Sequence, residues 1–321
     1  MKVLVLGGAG FLGRFVVDEL LACRHEVAVL SRSQVQFGAP VRRYAGEASD
    51  VAAVRRALRS WRPESLIDVV HHGPEHAKTV VRALSGKVAR SVHLSSAAVY
   101  GRSPLCPIDE ETATLPVDGA PREVAAQIAA DELVMEAAAG GLPAVLIRLP
   151  ELYGPRDPRC AEWFFARRVL DGRKRIALPD GGLHICHRGF VQNMARGVVQ
   201  ALTARKAVGQ LYNLGEEKLY TLAQLAQAVA KALDHEWELY SVPGHLWATP
   251  HAYTCFFDLR KARAQLRYKD RMIPRDGLEL TLAWLCQQPR GQDWRWPGIE
   301  DPFDYAREDA LIDERGARLE L

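Results

Sequence analysis

The stretch VLVLGGAGFLG at residues 3–13 constrains the fold more than any other part of the sequence. Residues 3–6 are an unbroken apolar run, which is typical of a parallel strand that is covered on both faces. The run ends in three regularly spaced glycines, Gly7, Gly10 and Gly13. A helical apolar pattern follows, and residues 26–30 supply a second apolar run. The N-terminus therefore predicts a complete strand–helix–strand unit.

Glycines at this point of such a unit have a specific physical use. Without a Cβ atom, the turn lets its backbone N–H groups approach a pyrophosphate, and the next helix presents its positive N-terminal end to the same anion. Tight turns without a ligand also use glycine, but the flanking strand and helix favour binding. We therefore predict a dinucleotide site at this turn.

The end of the second predicted strand indicates which dinucleotide is bound. A carboxylate there would accept both hydroxyls of the adenosine ribose, whereas this chain has Ser31, Arg32 and Ser33. A guanidinium between two hydroxyl groups can hold a 2′-phosphate through charge-assisted hydrogen bonds. The sequence thus favours NADP(H) over NAD(H). The alternative is a solvent-exposed arginine without a ligand.

Further apolar runs extend this pattern into an α/β fold. We predict the third to sixth strands at residues 41–45, 66–72, 91–96 and 144–148, with amphipathic helices between the first three of them. Alternating strands and helices form a doubly wound parallel sheet of the Rossmann type. We expect this domain to span residues 1–150 with a returning segment near 189–215. A smaller lobe is expected from residues 151–188 and 216–321.

Three histidines lie near the end of the fourth predicted strand, namely His71, His72 and His76. A metal site is disfavoured, because Pro74 interrupts the helix that would align His72 with His76, and no carboxylate or thiolate completes a ligand set. Ligands of doubly wound sheets bind at the carboxyl edge of the strands. His72 and His76 are therefore candidate substrate residues, with a structural role as the alternative.

The sequence SSAAVYG at residues 95–101 follows the fifth predicted strand. Together with the glycine turn, it resembles the extended short-chain dehydrogenase/reductase family, which includes NAD(P)-dependent epimerases and dehydratases. The resemblance implies that Ser96 is the catalytic serine, whose hydroxyl would hydrogen-bond the reacting oxygen, and that Glu47 contacts adenine. It implies further cofactor contacts at Phe11, Leu12, Gly73, Ser95, Leu149 and Pro150. Ala97 and Ala98 replace the acidic pair of the family's dehydratases, so elimination of water is not expected.

The chain departs from this family at the catalytic helix, which should carry Tyr and Lys four residues apart. Matching the run QIAADELV at residues 127–134 places Glu123 and Gln127 at those two positions. Gln127 can hydrogen-bond the nicotinamide ribose but has no charge with which to activate a neighbour. Glu123 can serve as an acid or base in a buried setting, and an exposed helix glutamate is the alternative. Tyr100 is the other candidate proton donor, with core packing as its alternative.

Residues 234–290 contain WELYSVP at residues 237–243 and FDLRKA at residues 257–262, followed by a predicted helix that ends near residue 285. This order, together with the GPEH passage at residues 73–76, resembles a subgroup of that family that includes the chloroplast stem-loop-binding proteins and bacterial reductase-like relatives. A hairpin-like turn is predicted at residues 176–182, and Thr221 is predicted to cap a helix. Arg188 can clamp an anionic or carbonyl group of a substrate, or it can pair with an acid on the cleft wall. The sequence does not separate these two roles.

Composition sets the outer limits. The 321 residues are 48% apolar and contain no run long enough to span a membrane, and the chain begins on a predicted core strand, so a cytoplasmic protein is expected. Its six cysteines are spread singly, as in a reducing compartment. A net charge of +3, taken as evenly distributed, does not argue for nucleic acid. The family resemblance implies a possible homodimer.

The leading hypothesis from the sequence is an NADP-dependent oxidoreductase that acts on a small organic carbonyl, alcohol or ring substrate. Because the usual tyrosine is missing, the substrate or a bound water would complete the proton transfer, with help from Glu123 or a cleft histidine. A second hypothesis is a non-catalytic nucleotide sensor or RNA-binding relative, and a third is a sugar-nucleotide epimerase. The fold hosts all three classes, so the site must decide among them.

Overall fold

Apolar runs of the sequence become the strands of the protein, and amphipathic segments become its helices. The computed structural model describes residues 1–33, 35–70, 73–84, 86–185, 187–250, 253–289, 296, 299 and 301–320. The strands in these ranges are β1 (Lys2–Leu6), β2 (Glu26–Ser31), β3 (Arg42–Ala45), β4 (Ser65–Asp68), β5 (Arg90–Ser96), β6 (Ala144–Leu149), β7 (Glu151–Tyr153), β8 (Arg175–Pro179), β9 (Arg188–Phe190), β10 (Leu211–Asn213), β11 (Glu238–Val242) and β12 (Ala317–Arg318). The α-helices are α1 (Phe11–Ala22), α2 (Val51–Trp61), α3 (Pro74–Leu84), α4 (Arg122–Ala139), α5 (Trp163–Leu170), α6 (Val191–Thr203), α7 (Leu222–Ala232), α8 (Arg260–Leu266), α9 (Pro274–Leu285) and α10 (Tyr305–Arg315).

The chain divides into two compact units. The first unit contains residues 1–151, 191–215 and 257–271, and the second contains the remaining segments up to residue 321. The sequence predicts that residues 257–271 belong to the C-terminal lobe, but the structure places them in the first unit. They belong to the first unit because the Asp258 N–H donates to the carbonyl of Ile108 (2.8 Å) and the Tyr268 hydroxyl donates to that of Gly215 (3.0 Å).

A parallel sheet forms the centre of the first unit. Its seven strands among the described residues run in the order β10, β6, β5, β4, β1, β2, β3, and each neighbouring pair is parallel. Residues 3–6 of β1 are fully buried, as expected for a strand that is covered on both faces. This sheet confirms the predicted doubly wound α/β fold of the Rossmann type.

The fourth strand is shorter than predicted. β4 ends at Asp68 and not at residue 72, because the Asp68 carboxylate accepts a hydrogen bond from the Val70 N–H (3.1 Å) and turns the chain. Pro74 starts α3 and does not interrupt a helix, in keeping with the tolerance of a first helical turn for proline. His71 and His72 lie outside the described residues.

The second unit has its own sheet and apolar core. β8 pairs in parallel with β11, and β12 adds an antiparallel edge to β11. Residues 176–182 are therefore not a hairpin-like turn, since they contain most of β8 and a following 3₁₀ turn. Thr221 caps α7 with a complete capping box, as predicted. No helix in the described parts of the chain has the length and apolar character required to cross a membrane.

α10 is anchored in the second unit by a buried ion pair. Arg168 and Glu308 are both fully buried, and the Arg168 Nε lies 3.2 Å from each Glu308 carboxylate oxygen. The guanidinium also stacks 3.8 Å from the Phe164 ring centroid, and Glu308 accepts from the Ala177 N–H of β8 (3.0 Å). These contacts satisfy both charges, which would otherwise oppose burial.

Candidate functional site

The glycine turn after β1 is shaped by close backbone packing. Gly7 has φ +76°, and its N–H donates to the Leu30 carbonyl of β2 (3.0 Å). A Cβ atom on Gly7 would lie 2.5 Å from a Val70 methyl, and one on Gly13 would lie 2.8 Å from the Cα of Gly8. Two of the three predicted glycines are thus required for space, because any side chain there would push α1 or the turn away.

A groove of about 360 Å³ opens over this turn. Its lining brings together most of the residues that the sequence assigned to the cofactor, namely Gly7, Gly10, Phe11, Leu12, Gly13, Ser31, Arg32, Ser33 and Glu47. The first turn of α1 contains no acidic residue, and Gly10 provides no side-chain cap. The free N–H groups and the positive helix end therefore remain available to an anion. This cradle fits the pyrophosphate of a nicotinamide dinucleotide.

The rim of the groove carries one positively charged and one negatively charged side chain that pair with each other. Arg32 Nη1 lies 3.1 Å from Glu47 Oε1, and the side chains are 74% and 55% exposed. The Ser31 hydroxyl donates to the Ser33 carbonyl (3.1 Å), so it shapes the turn. Arg43 of β3 donates to the same carbonyl (3.3 Å) and brings a second guanidinium beside Ser33. Arg43 was not predicted from the sequence, because its approach to this turn depends on the parallel pairing of β3 with β2.

Ser96, which the family resemblance predicts to be the catalytic serine, lies at the end of β5. The Ser96 hydroxyl oxygen accepts from the Ala98 N–H (3.1 Å), which leaves its proton for another acceptor. Ser95 is almost fully buried, and its hydroxyl has no hydrogen-bond partner among the described residues. Leu149 and Pro150 are buried at the end of the neighbouring strand β6.

The two residues at the Tyr and Lys positions occupy different settings on α4. Glu123 is exposed in the first turn of α4. This position matches the alternative of an exposed helix glutamate and does not match a buried acid or base. Gln127 donates from Nε2 to Asp131 (3.0 Å), and Asp131 pairs with Arg148 of β6 (3.1 Å). Gln127 is therefore oriented by a buried ion pair.

Tyr100 is part of the same buried region. Its hydroxyl donates to Asn213 (2.8 Å), its ring lies 4.8 Å from the Arg148 guanidinium carbon, and only 2% of the residue is exposed. Burial raises the pKa of Tyr100. A phenol that already donates to a neighbouring side chain, with a pKa raised by burial, is poorly suited to protonate a substrate. We therefore assign Tyr100 to packing and correct its candidacy as a proton donor.

The structure does not bring the predicted substrate residues together at one site. His72 lies outside the described residues. His76 is buried on α3, 2.8 Å from the Asp68 carboxylate, so it does not present a surface to a substrate. In the second unit, buried Arg188 pairs with Glu162 and stacks 4.4 Å from the Tyr153 ring centroid. The geometry of Arg188 therefore agrees with pairing to an acid and not with clamping a substrate group.

One cluster in the second unit has the composition of a metal site. Potential ligand atoms of Asp157, Cys160 and Glu162 lie within 4.8 Å of one another. The Arg188 guanidinium already neutralises Glu162, and burial with nearby acids raises the pKa of the Cys160 thiol well above its usual value. A cation would have to displace the guanidinium and ionise the thiol, so these residues do not fit a metal.

Known proteins resemble this chain over most of its length. The chain is 28% identical to 2′-dehydrokanamycin reductase of Streptomyces kanamyceticus, across 91% of this chain and 87% of the relative. It is 27% identical to the chloroplast stem-loop binding protein of 41 kDa b of Arabidopsis thaliana, across 72% of this chain, and spans 63% of that relative. UDP-glucose 4-epimerase of Thermotoga maritima shares the fold at a TM-score of 0.75 with 20% identity, across 89% of this chain and 99% of that one.

The sequence profile of one family covers most of the first unit. It matches residues 3–215, which include the glycine turn, the strands β1 to β6, Ser96 and β10. The residues of the nucleotide groove lie inside this match. This chain belongs to the NAD dependent epimerase/dehydratase family.

Proposed function

We propose that this protein is an oxidoreductase that uses NADP(H) to reduce or oxidise a small organic carbonyl, alcohol or ring substrate. The observation that carries the proposal is the intact phosphate cradle, formed by Gly7, Gly13 and the uncapped start of α1. A bound nicotinamide supplies or accepts the hydride. The 28% identity to a reductase across 91% of this chain supports the class of reaction.

In this proposal, Ser96 stabilises the reacting oxygen. Its hydroxyl oxygen accepts from the Ala98 N–H, and its proton can be donated to a carbonyl or alkoxide oxygen. Gln127, oriented by Asp131, would hydrogen-bond the nicotinamide ribose in place of the family's lysine. Since Tyr100 is buried and Glu123 is exposed, water or the substrate supplies the remaining proton.

The preference for NADP rests on two guanidinium groups at the groove rim. Arg32 lies beside Ser31 and Ser33, and Arg43 reaches the Ser33 carbonyl from β3. Two cations at this turn suit the double negative charge of a 2′-phosphate. Glu47 opposes that charge, but an exposed ion pair such as Arg32 with Glu47 is worth only about 0–1 kcal/mol and can open.

NADPH fluorescence tests the proposal. Titration of the purified protein should change the nucleotide emission in a saturable manner, and NADPH should then be consumed with a panel of small ketones and aldehydes. Absence of any fluorescence change refutes nucleotide binding. Binding with interconversion of sugar nucleotides but no net NADPH consumption would favour an epimerase, the activity in the name of the Thermotoga maritima neighbour.

A second candidate, binding of nucleic acid, is favoured by one surface of the first unit. Six exposed arginines lie within residues 42–62, which contain only two acidic residues, so the prediction of an even charge distribution is wrong for this surface. These are Arg42, Arg43, Arg55, Arg56, Arg59 and Arg62. Three of them, Arg55, Arg56 and Arg59, line a groove of about 840 Å³ along α2. The Arabidopsis thaliana relative is named for stem-loop binding.

Salt dependence tests this second candidate. Affinity for an RNA stem-loop should fall steeply with salt, and more so for the wild type than for an Arg55→Glu/Arg59→Glu variant. The matched control is Arg82→Glu/Arg205→Glu, which removes the same charge from exposed positions of the same unit. Equal loss in both variants would indicate a nonspecific effect of net charge.

A further inference from the structure

One arginine beside the glycine turn has no role in the proposed function. Arg14 lies on α1 and is partly buried, and its Nε donates to the Ala9 carbonyl (3.0 Å). Ala9 lines the nucleotide groove, so the guanidinium lies directly beside a residue of the groove wall. Among the described residues, no carboxylate pairs with this guanidinium, and its remaining N–H groups have no acceptor. The Arg14 charge is therefore available to an anion that binds in the groove.

Arg14 helps to fix the peptide unit that leads into α1. The Gly10 N–H at one end of this unit donates to the Gly7 carbonyl (2.9 Å), and the Ala9 carbonyl at the other end accepts from Arg14 Nε (3.0 Å). The first backbone hydrogen bond of α1 runs from the Arg14 N–H to the Gly10 carbonyl (3.1 Å). The N–H groups of residues 11–13 precede that bond and have no intrahelical acceptor. A peptide unit held at both ends thus sets the direction of the donors that would contact a pyrophosphate.

The charge balance of the groove explains why a cation at this position matters. Arg32 and Glu47 are the charged side chains among the described residues of the lining, and they pair with each other. The lining therefore offers no net side-chain charge to a pyrophosphate, which carries a negative charge on each phosphate. Arg14 adds a positive charge near the positive end of the α1 dipole, where no acidic residue balances it. A cation is unfavourable at this end of a helix, so a bound anion would relieve the repulsion.

We propose that Arg14 is a positioning residue for the pyrophosphate of the bound dinucleotide. It holds the peptide unit between Ala9 and Gly10, and its charge strengthens the attraction of the α1 N-terminus for the anion. The inference rests on the proposed function for the identity of the nucleotide. Arg14 acts on the pyrophosphate that NADPH and NADH share, whereas Arg32 acts on the 2′-phosphate that NADPH alone carries. Arg14 thus sets the affinity for both nucleotides, and Arg32 sets the selectivity between them.

Coulomb's law gives the size of the expected effect. For two unit charges about 8 Å apart, the interaction changes an equilibrium constant by about twofold at the dielectric constant of water and by about 30-fold at an effective value of about 20. Arg14 is bonded to a residue that lines the groove, so its separation from an anion in the groove is of this order. Loss of the Arg14 charge should therefore weaken the binding of NADPH and NADH by about 2- to 30-fold, and by the same factor.

Fluorescence titrations of the full-length protein with NADPH and with NADH test this inference. Arg14→Gln removes the charge but keeps an amide donor, and Arg14→Lys keeps the charge. Arg24→Gln is the matched control, because Arg24 is an exposed arginine just beyond the C-terminal end of the same helix. Each protein is titrated at about 0.01 M and about 1 M salt, between which the Debye length falls from about 30 Å to about 3 Å.

At low salt we expect Arg14→Gln to bind both nucleotides about 2- to 30-fold more weakly than the wild type, with the ratio of the two affinities unchanged. Arg14→Lys should recover most of the lost affinity. Arg24→Gln should stay closer to the wild type than Arg14→Gln does. The difference between Arg14→Gln and the wild type should shrink at high salt, because screening weakens a charge effect and leaves a purely structural effect of the turn in place.

Four results overturn the inference. They are equal affinity of Arg14→Gln and the wild type, weaker binding of NADPH alone, equal losses in Arg14→Gln and Arg24→Gln, and a loss that neither Arg14→Lys nor salt changes. The last result would mean that the charge of Arg14 has no part in binding. Absence of binding of either nucleotide by the wild type refutes the proposed function instead.

Discussion

Replacement of Arg32 by alanine should separate the two nicotinamide dinucleotides. The Arg32 side chain is 74% exposed and, among the described residues, pairs with Glu47 at 3.1 Å, so opening that pair costs about 0–1 kcal/mol. A charge-assisted hydrogen bond from a guanidinium to a phosphate is worth about 1.5–3 kcal/mol. The difference is about 0.5–3 kcal/mol, which corresponds to about a 2- to 160-fold loss of NADPH affinity in Arg32→Ala.

Parallel fluorescence titrations with NADPH and NADH at one ionic strength measure this effect. NADH affinity should stay within about twofold, because NADH lacks the 2′-phosphate. Glu47→Gln should act in the opposite direction and strengthen NADPH binding, since it removes a negative charge from the rim. Arg42→Ala is the matched control, an exposed arginine of β3 that does not line the groove. Equal weakening of NADPH and NADH in Arg32→Ala would refute the assignment of Arg32 to the 2′-phosphate.

Four further outcomes follow from the same structure. Gly13→Ala should weaken NADPH binding more than tenfold in the same titration, because its Cβ would lie 2.8 Å from the backbone of the turn; ordinary affinity would contradict the packing argument. Ser96→Ala should lower kcat by about 10²- to 10³-fold in an NADPH-oxidation assay, whereas exposed Glu123 should tolerate Gln with little change. Glu308→Gln should reduce the free energy of unfolding in denaturant by about 3–5 kcal/mol, since it leaves a buried guanidinium unpaired. Against the effect of burial, hydrogen bonds from two histidines lower the pKa of Asp68 in the folded protein, so its contribution to stability is present above about pH 4 and is lost as the pH falls. In Asp68→Asn, the free energy of unfolding should therefore fall less steeply with decreasing pH below about pH 4, as measured by denaturant unfolding at several pH values.

The fold of the first unit was largely predictable because its signals are local. Buried parallel strands appear in the sequence as continuous apolar runs, and β1, β2 and β5 lie within one residue of their predicted bounds. The predicted end of β4 was wrong because Val69 and Val70 continue the apolar run after the backbone has turned. The hydrogen bond between the Asp68 side chain and the Val70 N–H lies where the strand ends, and periodicity does not detect such a contact.

Long-range pairing explains what the sequence did not predict. β8 pairs with β11 across about 60 residues of chain, so residues 176–182 looked like an isolated turn. Arg43 reaches the groove rim only because β3 pairs with β2 in a particular register. The pairing of Arg188 with Glu162 and of His76 with Asp68 likewise depends on tertiary contacts that composition and spacing do not encode.

The order of segments in the two units determines when the first unit can fold during synthesis and where the chain can be truncated. The chain passes between the units five times, and residues 257–271 return to the first unit after most of the second has been synthesised. During translation, the nucleotide-binding unit therefore stays incomplete until residue 271 leaves the ribosome. A fragment that stops near residue 150 would lack β10 at the edge of the sheet together with α6 and α8. Such a fragment exposes apolar surface that the full chain covers, and insolubility is its expected behaviour.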